Sequence, residues 1–355
     1  MTNAKVVEPD KTPKDTISDL VAIDTRGLPI MFAASSWDNS IYVYGLNPDT
    51  LEVVLLAKGT DPEKDAILKI AFEIAPDNKQ TQKLFYGTAR GNIKCFTLPQ
   101  ITPNDCMTGK LQTMTNPTLI GEVKGVIVGL RYSKLAKRLI SVSTDKVCVF
   151  WDPSKPKAPT QVLTLTDNPT CMDVFEESCT IGFASDKNKF GRIDVKNPTK
   201  IDFIANIPFD SVPTDISCGP NSKSFVVGGS TSQFLYSDEK GAIPFLAHND
   251  EARLMSYGIN SVKVSPLMPY GISGGGDGTV CYFNLKSGKK INQKPMNSNP
   301  NVKLPVTSVC FVNLNGKPQF IVAACGYDWA KGYEEYVKGN TVEIHIKRII
   351  AADFG

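Results

Sequence analysis

Residues 274–285 read Gly274-Gly275-Gly276-Asp277-Gly278-Thr279-Val280-Cys281-Tyr282-Phe283-Asn284-Leu285, and the fold can be worked out from this stretch. Asp277-Gly278 is a strong signal for a tight type I′ turn, because both central residues of that turn need positive φ angles. Thr279 to Phe283 is predicted to be a strand, since it combines β-branched, aromatic and small residues without proline. Upstream, Ile259 to Val264 alternates apolar and polar residues, as a half-buried strand does, and another strand begins at Tyr270. The stretch therefore completes a unit of strand, loop, strand, tight turn and strand.

The same unit recurs along the whole chain. Its turns fall at Asp38, Arg90, Asp145, Lys187, Thr231, Asp277 and Asp328. Their spacing of roughly 40–55 residues is close to that of WD-type propeller blades, each of which has four strands. We therefore predict a single all-β domain, a seven-bladed WD-repeat β-propeller spanning residues 17–350. A pair of β-sandwiches could match the number of strands but not the seven recurring turns.

The two ends of the chain bear on how such a ring closes. After Pro305 the sequence supplies only three obvious strands for the seventh blade. The missing outer strand is expected from the N-terminal arm, residues 1–16, near Lys5 to Val7, because an open ring leaves an unpaired sheet edge. Residues 351–355 are interpreted as a C-terminal tail. The long segment from Thr97 to Asn116 is predicted to be a surface loop.

Composition limits the class of protein. The chain has 355 residues, 41% of them hydrophobic, and its 39 Lys and Arg nearly balance 36 Asp and Glu. The net charge of +3 demands neither nucleic acid nor a membrane as partner, and no apolar run is long enough to span a bilayer. Nine cysteines occur without C-x-x-C spacing, several of them in apolar strands. They are predicted to be buried free thiols of a protein in a reducing compartment.

Few residues suggest catalysis. There are two histidines, His248 and His345, and no P-loop, zinc-protease or nucleophile-elbow motif. His248 precedes Asp277 by 29 residues, and in WD repeats such a pair often bonds within a blade. We predict no catalytic residue, no metal site, no cofactor and no small-molecule substrate. A propeller enzyme is the alternative that these absences disfavour.

The tryptophans are better candidates for contact with a partner. Trp151 ends a strand, where the WD dipeptide stands in this repeat family, and is predicted to be structural. Trp37 instead lies in a turn, where a large exposed aromatic residue is a candidate contact residue. Two basic clusters could touch RNA phosphates, although no aromatic residues are interleaved with them. They consist of Lys134, Lys137 and Arg138, and of Lys286, Lys289, Lys290 and Lys294.

One segment identifies a family. Residues 327–336, Tyr-Asp-Trp-Ala-Lys-Gly-Tyr-Glu-Glu-Tyr, resemble the last-blade signature of the Rae/Gle-type mRNA export factors, which are seven-bladed WD-repeat proteins docked at nuclear pores. Ser35 to Asp38 resembles the first-blade motif of that family and of its Bub-type spindle-checkpoint paralogue. Trp151-Asp152-Pro153 is similar to the end of the third blade, and Phe245 with His248 to a motif before the sixth. Residues 327–336 favour the export factors over the paralogue.

The resemblance implies a partner. Members of the family bind a short helical nucleoporin peptide, the GLEBS motif, across the top of the propeller, where glutamates of the peptide meet arginines around blade 5. The positions that align with those arginines here are Thr214, Ser217 and Gln233. Without arginine, the charge-assisted bidentate hydrogen bonds are lost. Either the partner peptide differs or basic residues elsewhere compensate.

The function implied is that of a non-enzymatic scaffold. It would bind a nucleoporin-type peptide, support export of mRNA, and reside in the nucleus and at the nuclear pore with a cytoplasmic pool. The alternative is the checkpoint role, in which the propeller binds kinetochore and checkpoint-kinase peptides. Membrane binding is not expected, and direct contact with RNA or a messenger ribonucleoprotein is a further possibility.

The candidate site follows from the order of the blades. In a propeller, the turns between second and third strands lie on one face, and blades 1 and 7 become neighbours when the ring closes. We therefore predict that Trp37, Asp38, Tyr327, Trp329 and Lys331 form a peptide-binding cluster on that face. The alternative for Trp329 is that it packs beneath its own loop.

Overall fold

The computed structural model describes residues 4–23, 29–73, 82–221, 223–238, 241–250, 255–265, 267–296, 304–314, 316–329 and 342–354. These residues form seven sheets arranged in a ring, with each blade built on four antiparallel strands that run in order from the central channel to the rim. The fold class predicted from the recurring turns, a seven-bladed β-propeller, is confirmed.

The first four blades follow one another along the chain. Blade 1 has the strands Ile17–Ile23, Ile30–Ser36, Ser40–Leu46 and Val53–Thr60. Blade 2 has Ile67–Glu73, Lys83–Thr88, Asn92–Thr97 and Thr118–Glu122. Blade 3 has Ile127–Ser133, Arg138–Ser143, Val147–Trp151 and Pro159–Thr164. Blade 4 has Asn168–Phe175, Ser178–Ala184, Lys189–Asp194 and Phe203–Asn206.

The remaining three blades complete the ring. Blade 5 has Pro213–Cys218, Phe225–Gly229, Gln233–Asp238 and Gly241–Leu246. Blade 6 has Ile259–Val264, Tyr270–Gly275, Thr279–Asn284 and Lys289–Pro295, and is preceded by a small ribbon of Asn249–Asp250 and Met255–Ser256. Blade 7 has Val306–Leu314, Lys317–Cys325 and Glu343–Arg348, and its outer strand is Ala4–Val6. That outer strand is antiparallel to Glu343–Arg348, with Lys5 opposite Ile346.

The segment from Thr97 to Asn116 is more than a surface loop, so this prediction was wrong. Thr102 caps a short helix, Pro103–Thr108, through a reciprocal capping box with Asp105. Gln112–Met114 then pairs in parallel with Val53–Thr60, which makes it a fifth strand of blade 1. Among the residues described, no helix is both long and apolar enough to cross a membrane.

The tight turn at Asp277-Gly278 is also different from the prediction. Gly278 has a φ of 73°, whereas Asp277 is not among the residues with positive φ, so the turn is not type I′. The amide of Gly278 donates to the carbonyl of Gly275 at 3.1 Å. A three-residue hairpin loop that ends in one left-handed residue fits these facts. Asn39, Gly91 and Lys146 hold the same left-handed position in the turns of blades 1, 2 and 3.

The core is divided among the seven gaps between neighbouring blades. Each gap is filled by one cluster of buried apolar side chains from the two blades beside it. The close approach is clearest at Gly121, where an added Cβ would lie 2.2 Å from the ring of Trp151. Trp151 is buried and its indole N–H donates to Ser141 Oγ at 2.9 Å, which confirms its structural role.

The C-terminal residues pack against the propeller. Asp353 is buried and its carboxylate accepts from Lys294 Nζ at 2.7 Å and from Lys347. The ring of Phe354 stacks on Tyr270 with a centroid distance of 4.8 Å. The segment interpreted as a tail is therefore, up to Phe354, part of the interface between blades 6 and 7.

Thiol labelling should distinguish one cysteine from the other eight. All nine cysteines are free, and only Cys106 is partly exposed. Burial raises the pKa of the enclosed thiols, to about 12 for Cys310, which keeps them in the unreactive protonated form. We expect a disulfide reagent to label one thiol in the native protein and nine in denaturant, with native labelling lost in Cys106→Ser. Recovery of seven or fewer thiols in denaturant would indicate disulfides and contradict this prediction.

Candidate peptide-binding face

The turns between second and third strands lie on one face of the ring, which we call the top face. The innermost strands begin on the same face, because Ile17 pairs with Ser36 and Val306 with Cys325. Trp37 therefore lies on the top face of blade 1, and the residues after Cys325 continue on the top face of blade 7. Since blades 7 and 1 share one apolar cluster, these two segments meet at the junction between them.

Three aromatic residues come together at this junction, and we call them the aromatic cluster: Trp37, Tyr327 and Trp329. The rings of Trp37 and Trp329 are 5.7 Å apart, and Tyr327 meets Trp329 edge to face at 5.1 Å. Trp37 is 37% exposed, Trp329 is partly exposed and Tyr327 is buried at 7%. The cluster thus presents two indole rings to solvent above a buried phenol ring. Lys331, the remaining basic candidate, lies outside the described residues.

The end of the N-terminal arm holds the aromatic cluster in place. The indole N–H of Trp329 donates to Asp15 Oδ1 at 3.3 Å, and Thr16 Oγ1 donates to the carbonyl of Tyr327 at 3.0 Å. The amide of Trp37 donates to the carbonyl of Thr16 at 3.1 Å. Hydrogen bonds with the arm therefore fix the indole ring of Trp329 and the backbone of Trp37, which lowers the entropy cost of using these residues as contacts.

Asp38, also a predicted contact residue, is occupied within the turn. Its carboxylate accepts from the amides of Ser40 and Lys14, both at 3.0 Å, and from Tyr42 Oη at 2.7 Å. Burial raises the pKa of Tyr42, and the hydrogen bond to Asp38 raises it further. Asp38 therefore stabilises the turn that carries Trp37.

A cavity of about 390 Å³ opens beside the aromatic cluster at the top of the central channel, and we call it the channel mouth. Each innermost strand contributes one bulged residue to its wall: Ser18, Leu68, Val128, Thr170, Thr214, Asn260 and Thr307. A bulge leaves one residue out of the ladder and re-aims its side chain. The repeated bulge thus turns seven side chains into the lining of one cavity.

Several of these bulged residues also join neighbouring blades. Thr307 Oγ1 donates to the carbonyl of Ile17 at 2.8 Å, and Asn260 Nδ2 donates to that of Val306 at 3.1 Å. Thr214 makes the equivalent bond to the carbonyl of Ile259. Each acceptor lies directly before the bulge of the next blade, so the wall of the channel mouth is tied together around the ring.

Below the mouth, the channel contains ion pairs. The guanidinium of Arg131 donates to Asp173 Oδ1 at 2.8 Å and lies 3.6 Å from Asp19 Oδ2. Lys263 Nζ lies 3.3 Å from Asp215 Oδ2. Burial alone would lower the pKa of Arg131, but the carboxylates of Asp173 and Asp19 raise it, so the charge is retained. These contacts link the innermost strands of blades 1, 3, 4, 5 and 6.

Two curated proteins are similar to this chain over nearly its whole length. The mRNA export factor GLE2 of Chaetomium thermophilum is 24% identical over 351 residues, which covers 96% of this chain and 88% of the relative. The mRNA export factor rae-1 of Caenorhabditis elegans is 25% identical over 357 residues, covering 95% and 87%. This chain is thus similar to mRNA export factors of the Rae/Gle type over nearly its whole length. The resemblance read from residues 327–336 is thereby confirmed.

Two further comparisons were made, one with family models and one with solved structures. No family model matches the chain. A solved structure titled "Structure of U3-55K" superposes with a TM-score of 0.69 at 15% identity, covering 98% of each chain. At that identity the likeness supports the propeller fold alone.

In this chain, the positions aligned with the family's arginines make contacts within the propeller. Thr214 is the bulged residue of blade 5 described above, and Ser217 is buried, where its hydroxyl accepts from the amide of Val264 at 3.0 Å. Gln233 Oε1 accepts from Thr231 Oγ1 at 3.4 Å. None of the three supplies a positive charge.

Both histidines make side-chain hydrogen bonds within their own blades. His248 is buried, with Nδ1 at 2.9 Å from Asp277 Oδ1 and Nε2 at 2.9 Å from Ser273 Oγ, which confirms the predicted pair within blade 6. His345 lies in the third strand of blade 7, with Nε2 at 2.7 Å from Glu343 Oε2. Within the described ranges, no group of His, Cys, Asp or Glu side chains is arranged to hold a metal ion.

The two basic clusters are partly engaged in contacts within the protein. Arg138 lies 3.6 Å from Asp152, and Lys294 is bonded to Asp353. Lys290 Nζ donates to Gln293 Oε1 at 2.9 Å and to Asn249 Oδ1 at 3.3 Å. These partners reduce the positive charge available for phosphate contacts on both surfaces.

Proposed function

We propose that this chain is a non-enzymatic propeller scaffold in the export of mRNA from the nucleus, and that its top face binds a nucleoporin-type peptide. The observation that carries the proposal is the aromatic cluster beside the channel mouth. Exposed aromatic residues that are rigidly held next to a cavity have the profile of binding hot spots. The names of the two relatives supply the cellular role.

The peptide would lie across the top face, with an apolar side chain against the indole rings of Trp37 and Trp329. The channel mouth beside these rings is lined by apolar residues, among them Ile17 and Leu68, and by polar residues such as Ser18 and Thr307. A scaffold of this kind would reside in the nucleus and at the nuclear envelope, with a cytoplasmic pool. Contact with RNA would be secondary, through the basic clusters.

Trp37→Ala should weaken binding without unfolding the protein. Truncation of a hot-spot tryptophan typically costs about 1–3 kcal/mol of binding free energy. Because Trp37 is 37% exposed, we expect the melting temperature to change by only about 1–3 °C. The measurement is titration of a synthetic GLEBS-type nucleoporin peptide, together with thermal denaturation followed by circular dichroism.

Leu267→Ala is the matched control, because Leu267 is 56% exposed and lies between the first two strands of blade 6, on the opposite face. It should bind the peptide as the wild type does. Affinity purification of tagged wild type and Trp37→Ala tests the cellular role: nucleoporins lost from the variant support it. Recovery of checkpoint kinases and kinetochore proteins instead would favour the checkpoint function. Normal peptide binding by an intact Trp37→Ala protein would rule out this face.

A further inference from the structure

Lys69 stands apart from the other charged residues of the channel. It is the second residue after Ile67 in the innermost strand of blade 2, next to the bulged Leu68, and its side chain lines the channel mouth. Arg131 and Lys263 are both paired with carboxylates. Lys69 forms no ion pair or hydrogen bond through Nζ with the parts of the chain that the structure describes. The half-buried ammonium group of Lys69 is thus left to solvent or to a ligand.

The charge of Lys69 is directed into the channel. Burial would raise the pKa of Asp215, but the ammonium groups of Lys263 and, after it, Lys69 lower this pKa. Asp215 lies on blade 5, across the channel from blade 2. The charge of Lys69 therefore acts across the channel, toward blade 5.

We infer that Lys69 binds a carboxylate of the partner peptide, so that the peptide is anchored at two points, by an acidic side chain in the channel mouth and by an apolar contact with the aromatic cluster. This inference rests on the proposed peptide binding. The cavity of about 390 Å³ holds a Glu or Asp side chain, and Trp37 and Trp329 line the same cavity as Lys69.

Charge complementarity favours an anion here over a cation or an apolar group. An ammonium group that is partly shielded from water gains more from an opposite charge than one on an open surface. Among the other charged groups, Asp19, Asp173 and Asp215 lie beside Arg131 or Lys263, and Asp328 also lines the mouth. The incoming carboxylate supplies the partner that Lys69 lacks.

A double-mutant cycle tests the contact. The probes are a synthetic GLEBS-type peptide and the same peptide with each glutamate replaced in turn by glutamine. For the wild type, one Glu→Gln replacement should weaken binding about tenfold or more, as expected for a close charge pair. For Lys69→Met, the same replacement should have no further effect, and the unmodified peptide should bind as weakly as the glutamine peptide binds the wild type.

Two variants keep the result interpretable. Lys69→Arg retains the charge and should restore most of the affinity, which a merely structural role in packing would not predict. Lys124→Met removes an exposed lysine from the same face and should bind like the wild type. Melting temperatures verify that each variant is folded.

The outcomes separate the two proposals. If the unmodified peptide binds wild type and Lys69→Met equally, or if every glutamate replacement costs the same in both, the carboxylate contact is overturned while peptide binding stands. If the peptide does not bind the wild type at all, the proposed function and this inference both fail. If single-stranded RNA depends on Lys69 and the peptide does not, the ligand of Lys69 is a phosphate, and the inference is likewise overturned.

Discussion

Deletion of residues 1–16 should lower the melting temperature by about 5–10 °C, because it removes the strand that closes the ring. Ala4–Val6 pairs with Glu343–Arg348, and the amide of Val7 donates to the carbonyl of Ile344 at 2.9 Å. Val7 is 5% exposed and packs in the core between blades 7 and 1. Burial of one such side chain contributes about 1.5–3 kcal/mol to folding.

The rest of the arm adds hydrogen bonds to blade 1. Tyr44 Oη donates to the carbonyl of Lys11 at 2.8 Å, and Ser36 Oγ donates to that of Asp15 at 2.9 Å. Each contributes about 0.5–1.5 kcal/mol. The measurement is thermal denaturation of full-length and truncated protein in the same buffer.

Two point variants separate ring closure from mere loss of chain. Val7→Asp places a charge in the core and should reproduce much of the decrease. Lys5→Ala removes only an exposed ion pair with Glu52, and should change the melting temperature by about 1 °C or less. An unchanged melting temperature after the deletion would show that the ring does not depend on this strand.

His248→Ala should be the most destabilising single change in blade 6. It removes a fully buried side chain and leaves the carboxylate of Asp277 and the hydroxyl of Ser273 without their imidazole partner. Removal of one member of a buried charged pair typically costs about 3–5 kcal/mol. The expected result is a lower midpoint in urea denaturation, with the slope unchanged.

The same pair predicts a loss of stability at alkaline pH. Burial lowers the pKa of His248, but its hydrogen bonds and electrostatic interactions with Asp277 and Cys281 together outweigh burial and raise the pKa to about 9. Because this pKa lies above the unfolded value of about 6.5, the stabilising contribution is complete below pH 6.5 and is lost as the pH rises through 9. It amounts to something on the order of 3 kcal/mol.

The experiment compares the free energy of unfolding between pH 6 and 9.5 for the wild type, His248→Asn and His345→Gln. Subtracting the His248→Asn curve removes the titration of other groups, so the wild type alone should show the excess loss. His345→Gln should keep that loss, because burial lowers the pKa of His345 and its titration falls on the acid side. Parallel curves for the wild type and His248→Asn would contradict the assignment.

The blades could be predicted from the sequence because their signals are local. A turn residue between two alternating segments marks a hairpin whatever lies around it. The type of turn at Asp277-Gly278 could not be predicted in the same way, since it depends on loop length and hence on the register of the two strands. The strand Gln112–Met114 was missed for a related reason: three residues carry no periodicity, and the segment lies within the sequence of blade 2 although its partner strand belongs to blade 1.

The candidate site, too, could be predicted only in part from the sequence. The meeting of Trp37 with Tyr327 and Trp329 could be predicted, because topology alone brings the first and last blades together. The channel mouth could not, since a bulge changes which way a side chain points, and the sequences at Ser18, Leu68 and Val128 share no residue type. Lys69 was missed with them, although its place two residues after the first apolar residue of the strand is a signal that could be searched for.

Closure by Ala4–Val6 also has a consequence for biosynthesis. This strand leaves the ribosome well before Glu343–Arg348, the strand on which it pairs. At a synthesis rate of about 5–20 residues per second, the delay is on the order of tens of seconds. Throughout that time the nascent chain carries an unpaired strand at one end and an incomplete row of blades behind it, a state open to chaperones and to pairing with other chains.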